Sequence, residues 1–439
     1  MAAPWSAGGM STGRRRAHML IAFLLGCVVA GVGALVAVNF TTGEKKLDRR
    51  IAHTFPLEDP RFAKELGVLL GPPFVPGNQA TILLNGDTIF PAMLSAIESA
   101  RRSITFETYI YWSGDIGRRF ASALSEAARR GVPTHVLLDW VGSGKMDEAL
   151  LEEMKSAGVQ IKKFHAPHWY DLGRLNNRTH RKLLVVDGLV GFTGGVGIAD
   201  EWTGHAQDPD HWRDTHVKME GPVVAQLQAV FMDNWIKVTG EVLHGEAYFP
   251  ELAPRGNSHA QVFSSSPTGG SESMQLMYLF SIAASTRTID LSAAYFVPDD
   301  LTRNALLAAM KRGVKLRVIV PGEHMDSETV KSASRAQWGP LLEAGAVIAE
   351  YQPTMFHCKV LIVDKLLVSM GSTNFDNRSF RLNDEATLNI LDAAFAAEQT
   401  AVFEQDLARS RRVSLETWVN RPKREKVADW FGSLISSQL

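Results

Sequence analysis

Cysteine is scarce in this sequence, since only Cys27 and Cys358 occur among 439 residues. Two thiols cannot build the dense disulfide framework of a small secreted domain, so that class of protein is excluded. Cys358 follows His357, and alternation along a strand would turn its side chain to the opposite face. We therefore interpret Cys358 as a small buried side chain rather than as a nucleophile.

An excess of charge of either sign is also missing. The 46 Lys and Arg residues nearly balance the 47 Asp and Glu residues, which leaves a formal net charge of −1. A protein that binds a long polyanion usually carries a basic surface, so the balance disfavours nucleic acid as a partner. The length exceeds that of one ordinary core and favours two domains or two fused halves.

The segment 19–40 has no charged residue over 22 positions. As a helix it is long enough to span about 30 Å of hydrocarbon. A cleaved signal peptide is the alternative, but this run exceeds the usual apolar region of about 7–15 residues. We expect a retained single-pass anchor whose orientation stays open, because basic residues flank both ends.

The sequence contains an internal duplication. "RTHRKLLVVD" at 178–187 and "MFHCKVLIVD" at 355–364 share His-x-Lys-x4-Asp, and their histidines are 357 − 180 = 177 residues apart. Arg-Gly-Val also recurs at 130–132 and 312–314, each time after a helical pattern and before a β-branched strand. This alternation predicts an α/β fold of two fused αβα sandwich halves related by a pseudo-twofold, with mostly parallel strands.

We divide the chain into five segments on this basis. They are a cytoplasmic or lumenal tail 1–18, a transmembrane anchor 19–40, a connector 41–75, a first domain 76–255 and a second domain 256–439. The Ser/Gly-rich stretch 262–275 reads as a loop after a strand between the halves. We expect the halves to pack closely, because this linker is modest in length.

Each motif places its histidine and lysine two residues apart, on one face of a strand and about 7 Å apart. His180 and Lys182 form the first pair, and His357 and Lys359 form the second. Adjacent ammonium groups repel a divalent cation, so we expect neither a metal nor a cofactor. Two imidazoles and two ammoniums suit a phosphate, where one histidine attacks phosphorus and the other protonates the leaving oxygen.

Residues after the motifs extend this hypothesis. Gly371, Ser372 and Asn374 could donate to phosphate oxygens. Glu385 lies 385 − 357 = 28 residues after His357. We assign it the role of orienting an attacking histidine by accepting a hydrogen bond from Nδ1 of that histidine. Asp214 occupies the matching place in the first half, and a salt bridge elsewhere is the alternative for both carboxylates.

The two motif aspartates, Asp187 and Asp364, sit where a tight turn would end each strand. They belong to the catalytic signature, yet we interpret both as structural residues that hold the turn rather than contact phosphate.

With these residues, the sequence resembles the phospholipase D superfamily, whose signature is a duplicated HxKxxxxD followed by G-G/S-x-N. It is most similar to the bacterial cardiolipin synthase branch, through "NNRTHRKLLVVDGLVGFTGGVGIADEW", "WRDTHVKMEGP" and "EYQPTMFHCKVLIVD". The resemblance covers about residues 75–430. It implies two phospholipase D-like domains and a phosphohistidine intermediate.

Carried to this chain, the resemblance implies that His180 is the nucleophile and His357 the general acid and then base. Lys182 and Lys359 would clamp phosphate oxygens, and the two histidine roles could be reversed. The first copy departs from the signature: Gly194 is followed by Gly195 where Ser is often found, and Gly197 replaces Asn. Backbone N–H groups of this glycine run could substitute for the missing donors.

The resemblance also implies the substrates. Phosphatidylglycerol would serve as both donor and acceptor, in a bacterial cell membrane, with no obligate protein partner. Hydrolysis by a lipase or nuclease, and an inactive membrane scaffold, are the alternatives. The C-terminal stretch 421–439 joins basic and apolar residues, which indicates either a helix on an anionic lipid surface or a helix that caps the core.

Overall fold

The computed structural model describes residues 12–40, 47, 49–164, 177–267, 273–434 and 436. The first helix, α1 (Thr12–Phe40), contains a stretch, Arg16–Ala34, that is long and apolar enough to cross a membrane. The predicted anchor 19–40 lies within this helix. Residues 1–11 of the predicted tail and 41–46 and 48 of the predicted connector lie outside the described residues.

A second, larger unit contains Glu44–Ala166 and Asn177–Leu439. It begins with α2 (Pro60–Leu70), which lies inside the predicted connector. Asp59 caps this helix through the N–H of Arg61, and Phe62 and Leu66 are buried in the core of the second half. The connector is therefore partly a folded element, because its apolar positions recur at helical spacing.

The first half alternates strands and helices. In chain order its elements are β1 (Val75–Leu84), α3 (Asn85–Ser99), β2 (Ile104–Thr108), α4 (Asp115–Arg129), β3 (Thr134–Asp139), α5 (Glu148–Ser156), β4 (Gln160–Phe164), β5 (Arg178–Thr179), β6 (Leu183–Val186), β7 (Val190–Gly194), β8 (Thr215–Glu220) and α6 (Val224–Thr239).

The second half repeats this order and adds a C-terminal extension. Its elements are β9 (Ser258–Ser265), α7 (Met274–Ala284), β10 (Thr288–Ala293), β11 (Phe296–Val297), α8 (Asp300–Lys311), β12 (Lys315–Pro321), α9 (Glu328–Ala336), α10 (Trp338–Glu343), β13 (Val347–Tyr351), β14 (Lys359–Val363), β15 (Leu367–Gly371), β16 (Phe375–Asp376), α11 (Asn377–Arg381), β17 (Asn383–Leu391), α12 (Ala393–Ala408), β18 (Ser410–Val413), α13 (Leu415–Val419) and α14 (Lys423–Leu434). The strand expected before the Ser/Gly-rich linker is β9, but β9 extends to Ser265 and α7 begins at Met274, so the predicted loop 262–275 was too long at both ends. Residues 268–272 of that linker lie outside the described residues.

The repeated Arg-Gly-Val sequences end α4 and α8 in the same way. Gly131 and Gly313 have φ values of 86° and 98°, a left-handed conformation that a residue with a Cβ rarely adopts. Their N–H groups donate to Ala128 and Met310, and the chain then enters β3 and β12. The sequence prediction of a glycine at the C′ position of each helix is confirmed.

One large sheet runs through both halves. Its order is β18-β13-β12-β10-β14-β15-β17-β9-β1-β8-β7-β6-β2-β3-β4, and the antiparallel pair β1–β9 joins the halves. Parallel pairing is limited in this order to the outer strands β2–β3–β4 and β10–β12–β13. The expectation of mostly parallel strands was therefore wrong. Each motif strand continues through a short turn into an antiparallel hairpin, β6–β7 or β14–β15, which a helix-crossover pattern does not predict.

A shared apolar core holds the halves together. One cluster of buried residues includes Leu183 and Val217 from the first half together with Val360 and Phe403 from the second. Burial of apolar area of this kind stabilises by about 25 cal/mol per Å². The halves are therefore packed closely, as expected, although the stretch 262–275 lies between β9 and α7 inside the second half and does not connect the halves.

Candidate active site

Each motif histidine is attached to the opposite half through its own backbone. The N–H of His180 donates to the carbonyl of Asp384 at 2.9 Å, where β5 pairs with β17. The N–H of His357 donates to the carbonyl of Arg213 at 2.8 Å, beside an isolated bridge between Arg213 and Phe356. Both contacts position a histidine next to the residue that precedes a buried carboxylate of the other half.

Each imidazole also contacts a carboxylate of the opposite half. Nδ1 of His180 lies 3.0 and 3.1 Å from the two carboxylate oxygens of Glu385, and Nδ1 of His357 lies 2.8 Å from Oδ2 of Asp214. A carboxylate acceptor fixes the proton on Nδ1 and leaves Nε2 as the nitrogen with a lone pair. The structure thus brings together the four residues that the sequence singled out and pairs them between halves.

Glu385 is held by hydroxyl groups of its own half. Ser372 donates to Oε2 at 2.5 Å and Ser379 donates to Oε1 at 2.7 Å, while the Asn383 amide lies 3.3 Å from Oε1. The expectation that Ser372 donates to a phosphate oxygen therefore needs correction, because its hydroxyl already donates to Glu385. Ser379 has no counterpart in the sequence motif and was missed.

Asp214 is held differently. The indole Nε1 of Trp202 donates to Oδ2 at 3.0 Å, and the backbone N–H of Thr215 donates to Oδ1 at 2.7 Å. A Cβ at Gly195 would lie 2.3 Å from Oδ1, so the carboxylate fills the space that a serine would need. Glycine replaces serine at this position, and Trp202 donates to Asp214 the hydrogen bond that Ser372 donates to Glu385 in the other half.

The remaining motif glycines pack closely against backbone or side chains. A Cβ at Gly194 would lie 2.4 Å from Nδ1 of His216, and a Cβ at Gly371 would lie 2.3 Å from the carbonyl of Ala386. At Gly197 it would lie 2.9 Å from Cβ of Ile110, which explains why the expected asparagine is absent. In the second half Asn374 is buried, and its Oδ1 has no hydrogen-bond partner among the described residues.

Both lysines are buried beside the histidines. Lys182 donates to the carbonyl of His180 at 2.8 Å, and Lys359 donates to the carbonyl of His357 at 2.9 Å. The Lys359 ammonium also lies 3.2 Å from each ring nitrogen of His357. Burial lowers the pKa of Lys182 to about 7 and also lowers the pKa of Lys359, so an anion in the cleft would favour their charged forms.

The histidines are poised in the neutral form. Burial lowers the pKa of His180 to about 4, against the opposing influence of Glu385. Burial and the neighbouring Lys359 ammonium also lower the pKa of His357. A neutral imidazole carries the lone pair that a nucleophile needs, and an anionic substrate would supply the charge that favours protonation of its partner.

The motif aspartates accept hydrogen bonds from backbone N–H groups. The Asp187 carboxylate accepts the N–H groups of Arg101, Arg102 and Ser103 at 2.6–3.1 Å. Asp364 likewise accepts those of Thr286, Arg287 and Thr288 at 2.7–2.8 Å. These amides connect α3 to β2 and α7 to β10. The geometry agrees with the interpretation of both residues as structural rather than catalytic.

Aromatic rings and a second polar layer surround the histidines. The ring of Tyr109 lies 5.2 Å from His180, and the ring of Trp202 lies 5.1 Å from His357. Thr179, which precedes His180, donates its hydroxyl to buried Glu107 at 2.5 Å. Sequence reasoning missed these residues. Tyr109 and Glu107 lie in the strand "ITFETYIYW", where alternation marks a face but does not identify what that face contacts.

Comparisons with known proteins agree with this geometry. The family described as "Cardiolipin synthase, PLD-like domain" matches residues 93–235 and 278–407. Cardiolipin synthase A of Pseudomonas fluorescens Pf-5 is 35% identical over 345 residues, which cover 78% of this chain and 71% of that protein. Cardiolipin synthase A of Pseudomonas putida KT2440 is 34% identical over 365 residues, 83% and 75% of the two chains. This chain therefore belongs to the phospholipase D-like family.

Solved structures agree at the level of the fold. The phosphatidylserine synthase of Haemophilus influenzae Rd KW20 superposes with a TM-score of 0.65 and 13% identity, over 86% of this chain and all of that one. At this identity the likeness establishes the shared architecture of two halves and no more. The fold class predicted from the duplicated motif is confirmed.

Proposed function

We propose that this protein is a membrane-anchored phosphatidyltransferase that makes cardiolipin from two molecules of phosphatidylglycerol. The observation that carries the proposal is the pair of histidines whose Nδ1 atoms are held by Glu385 and Asp214. The identity to cardiolipin synthases over most of the chain supports this choice of substrate. The apolar helix Arg16–Ala34 supports an anchor in the bilayer where both substrates reside.

In the first step His180 Nε2 attacks the donor phosphorus. A P–N bond forms and the P–O bond to the headgroup glycerol breaks. His357 gives its proton to the oxygen of the departing headgroup glycerol. Lys182 and Lys359 balance the charge on the phosphate oxygens, while Asp214 stabilises the protonated form of His357. We assign attack to His180, as the resemblance implies; burial lowers its pKa to about 4 and so keeps the attacking ring neutral, and burial lowers the pKa of His357 in the same direction.

In the second step the free headgroup hydroxyl of another phosphatidylglycerol attacks the same phosphorus. His357 takes the hydroxyl proton, the P–N bond breaks, and its electron pair returns to His180 Nε2. The sum of the two steps is cardiolipin plus glycerol. Each balance closes with protein side chains alone, so we predict that a chelator leaves the rate unchanged.

Product analysis tests this function. The purified full chain is incubated with headgroup-labelled phosphatidylglycerol in anionic nanodiscs, with and without EDTA, beside His180→Ala and a control variant, His205→Ala. The His205 side chain is exposed and pairs with Asp87, so its loss should not affect turnover. Cardiolipin and free glycerol that disappear only in His180→Ala support the proposal. Phosphatidic acid alone would identify a hydrolase instead, and cardiolipin from His180→Ala would overturn the assignment.

A further inference from the structure

The cleft has a polar pair on the His357 side that the reaction above does not use. The hydroxyl of Tyr295 donates to Oδ2 of Asp326 at 2.7 Å. Tyr295 is half-buried and packs with Met325 against Val297 and Val330, whereas Asp326 is exposed. The pair therefore combines a fixed phenol with a carboxylate that solvent or a ligand can reach.

Strand connections place this pair beside the second motif. Ala293 is in register with Lys359 in the β10–β14 pair, and the N–H of Ala294 donates to the carbonyl of Cys358 at 2.8 Å. Tyr295 is the next residue, and its own carbonyl accepts the N–H of Phe375. Asp326 follows β12, the parallel neighbour of β10, so both residues lie at the edge of the sheet where His357 enters β14.

Electrostatics agree with this placement. The Asp326 carboxylate raises the pKa values of both His357 and Lys359, although burial outweighs it and lowers both. Tyr295 is also close enough to Tyr109 of the first half for the two phenols to influence each other. The pair thus faces the cleft between the two motifs.

The first half has no such pair at the corresponding positions. Ile104 and Ile289 face the valines that precede the two motif aspartates, so Tyr295 corresponds to Ile110. By the same register through β3 and β12, Asp326 corresponds to Gly144. Neither Ile110 nor Gly144 has a side chain that can bind a hydroxyl; on that side of the cleft the phenol is Tyr109, one residue earlier, which lies against His180 and within electrostatic reach of Asp139.

We propose that Tyr295 and Asp326 form the subsite that binds the vicinal diol of the acceptor headgroup. This inference rests on the proposed transfer reaction, in which His357 deprotonates the attacking hydroxyl. The neighbouring hydroxyl of the same diol donates to the Asp326 carboxylate, which Tyr295 holds in place through its own hydroxyl. A polyol is thereby oriented with its terminal oxygen towards His357, and a monohydric alcohol or water lacks the second contact.

Acceptor competition tests the subsite. The full chain receives phosphatidylglycerol as donor together with equal concentrations of 1,2-propanediol and 1-propanol, and mass spectrometry gives the ratio of the two phosphatidyl products. Because both products arise from the same intermediate, the ratio is independent of enzyme stability and of the first step. Wild type should favour the diol, and Asp326→Asn and Tyr295→Phe should each reduce the ratio by roughly tenfold, as expected for a lost hydrogen bond to a charged group.

Glu323→Gln is the matched control. Glu323 lies on the same loop and is exposed, but its charge acts on Arg411 rather than on His357. An unchanged ratio in this variant would support a specific role of Asp326. A wild-type ratio in both Asp326→Asn and Tyr295→Phe, or no diol preference in wild type, would overturn the subsite. Absence of any phosphatidyl alcohol from wild type would instead overturn the proposed transfer reaction.

Discussion

Glu385 influences the proposed reaction through its contact with His180 and not as a reacting group. It contacts His180 from the opposite half, and two serine hydroxyls and an amide fix its orientation. A buried acceptor of this kind selects the Nδ1–H tautomer and stabilises the charge that the ring gains when its Nε2 bonds to phosphorus. The rate of attack should therefore depend on the charge of Glu385 more than substrate binding does.

Glu385→Gln should lower kcat by roughly 10²–10⁴ while KM changes little, because the amide keeps the shape but loses the charge and can favour the wrong tautomer. Steady-state kinetics with phosphatidylglycerol measure this effect. Ser372→Ala should show a smaller loss, since Ser379 and Asn383 still hold the carboxylate. A kcat near that of wild type in Glu385→Gln would contradict the orienting role.

The lowered pKa of Lys182 leads us to predict that the protein takes up protons when it binds an anion. Burial lowers its pKa to about 7, so at pH 8 most of the free protein carries the neutral amine. A phosphate analogue in the cleft raises this pKa and draws a proton from the buffer. Titration calorimetry with tungstate at pH 8, in buffers of different ionisation enthalpy, should therefore show net proton uptake.

Lys182→Gln should reduce the number of protons taken up at pH 8, and any remainder would come from Lys359 and the motif histidines, whose pKa values are also lowered by burial. Proton release, or an observed enthalpy that does not depend on the buffer, would show that the lysines are already charged in the free protein.

At the scale of secondary-structure elements, the motif aspartates hold the connections that lead into β2 and β10, the strands that pair with the motif strands β6 and β14. Asp364 accepts three backbone N–H groups and the Thr286 hydroxyl. Asp364→Ala should therefore lower the free energy of unfolding by about 2–4 kcal/mol, because buried donors lose their acceptor. Urea titration measures this loss.

Glu398→Ala, an exposed change on α12, is the control and should stay within about 0.5 kcal/mol of wild type. Wild-type stability in Asp364→Ala, combined with loss of turnover, would make Asp364 a catalytic residue after all.

Helix α14 bears on the two alternatives that the sequence left open for residues 421–439, of which 421–434 and 436 are described. One face packs on α9, where Asp429 pairs with Arg335 and Gly432 lies against Ala333. The other face exposes Val427, Trp430, Phe431 and Leu434 at 55–60%, in one stripe near exposed basic residues. An apolar stripe flanked by cations suits the interface of an anionic bilayer.

Phe431→Cys in a Cys27→Ala background allows this surface to be probed in the full chain. The remaining Cys358 is 1% exposed and should escape labelling. An environment-sensitive fluorophore at position 431 should shift to the blue in phosphatidylglycerol nanodiscs and be quenched by lipid-borne quenchers. The same label at Glu153→Cys on α5 is the control, and equal water exposure at both positions would show that α14 does not enter the interface.

At the scale of the whole molecule, the active site is a property of the duplication. The sequence predicted two halves because His-x-Lys-x4-Asp and Arg-Gly-Val recur at nearly constant separation. It could not predict that Glu385 serves His180 and Asp214 serves His357, since this exchange depends on how β5 meets β17 and how Arg213 meets Phe356. Chain separation between a histidine and its carboxylate carries no information on such contacts.

Other parts of the site escaped prediction for the same reason. Trp202 replaces a serine as the donor to Asp214, and Tyr295 meets Asp326 only because β10 and β12 are parallel neighbours. The structural role of the motif aspartates was predicted from the motif, but their partners were not, because Asp187 and Asp364 accept backbone N–H groups that lie 76–86 residues earlier in the chain. Long-range partners of a buried polar side chain are fixed by sheet order, which the repeat pattern predicts only in part.

The central claim is that His180, which Glu385 of the other half orients through a hydrogen bond, becomes covalently bonded to the phosphatidyl group. The most direct test is rapid acid-free quenching of His357→Asn with phosphatidylglycerol, followed by digestion and mass spectrometry of the histidine-containing peptides. The account predicts a phosphatidyl adduct that forms slowly on the peptide that carries His180, because the first step lacks its acid, and that persists because the second step lacks its base; the adduct should be reduced when Glu385→Gln is added. An adduct on another histidine of an otherwise active protein, or turnover without any adduct, would contradict it.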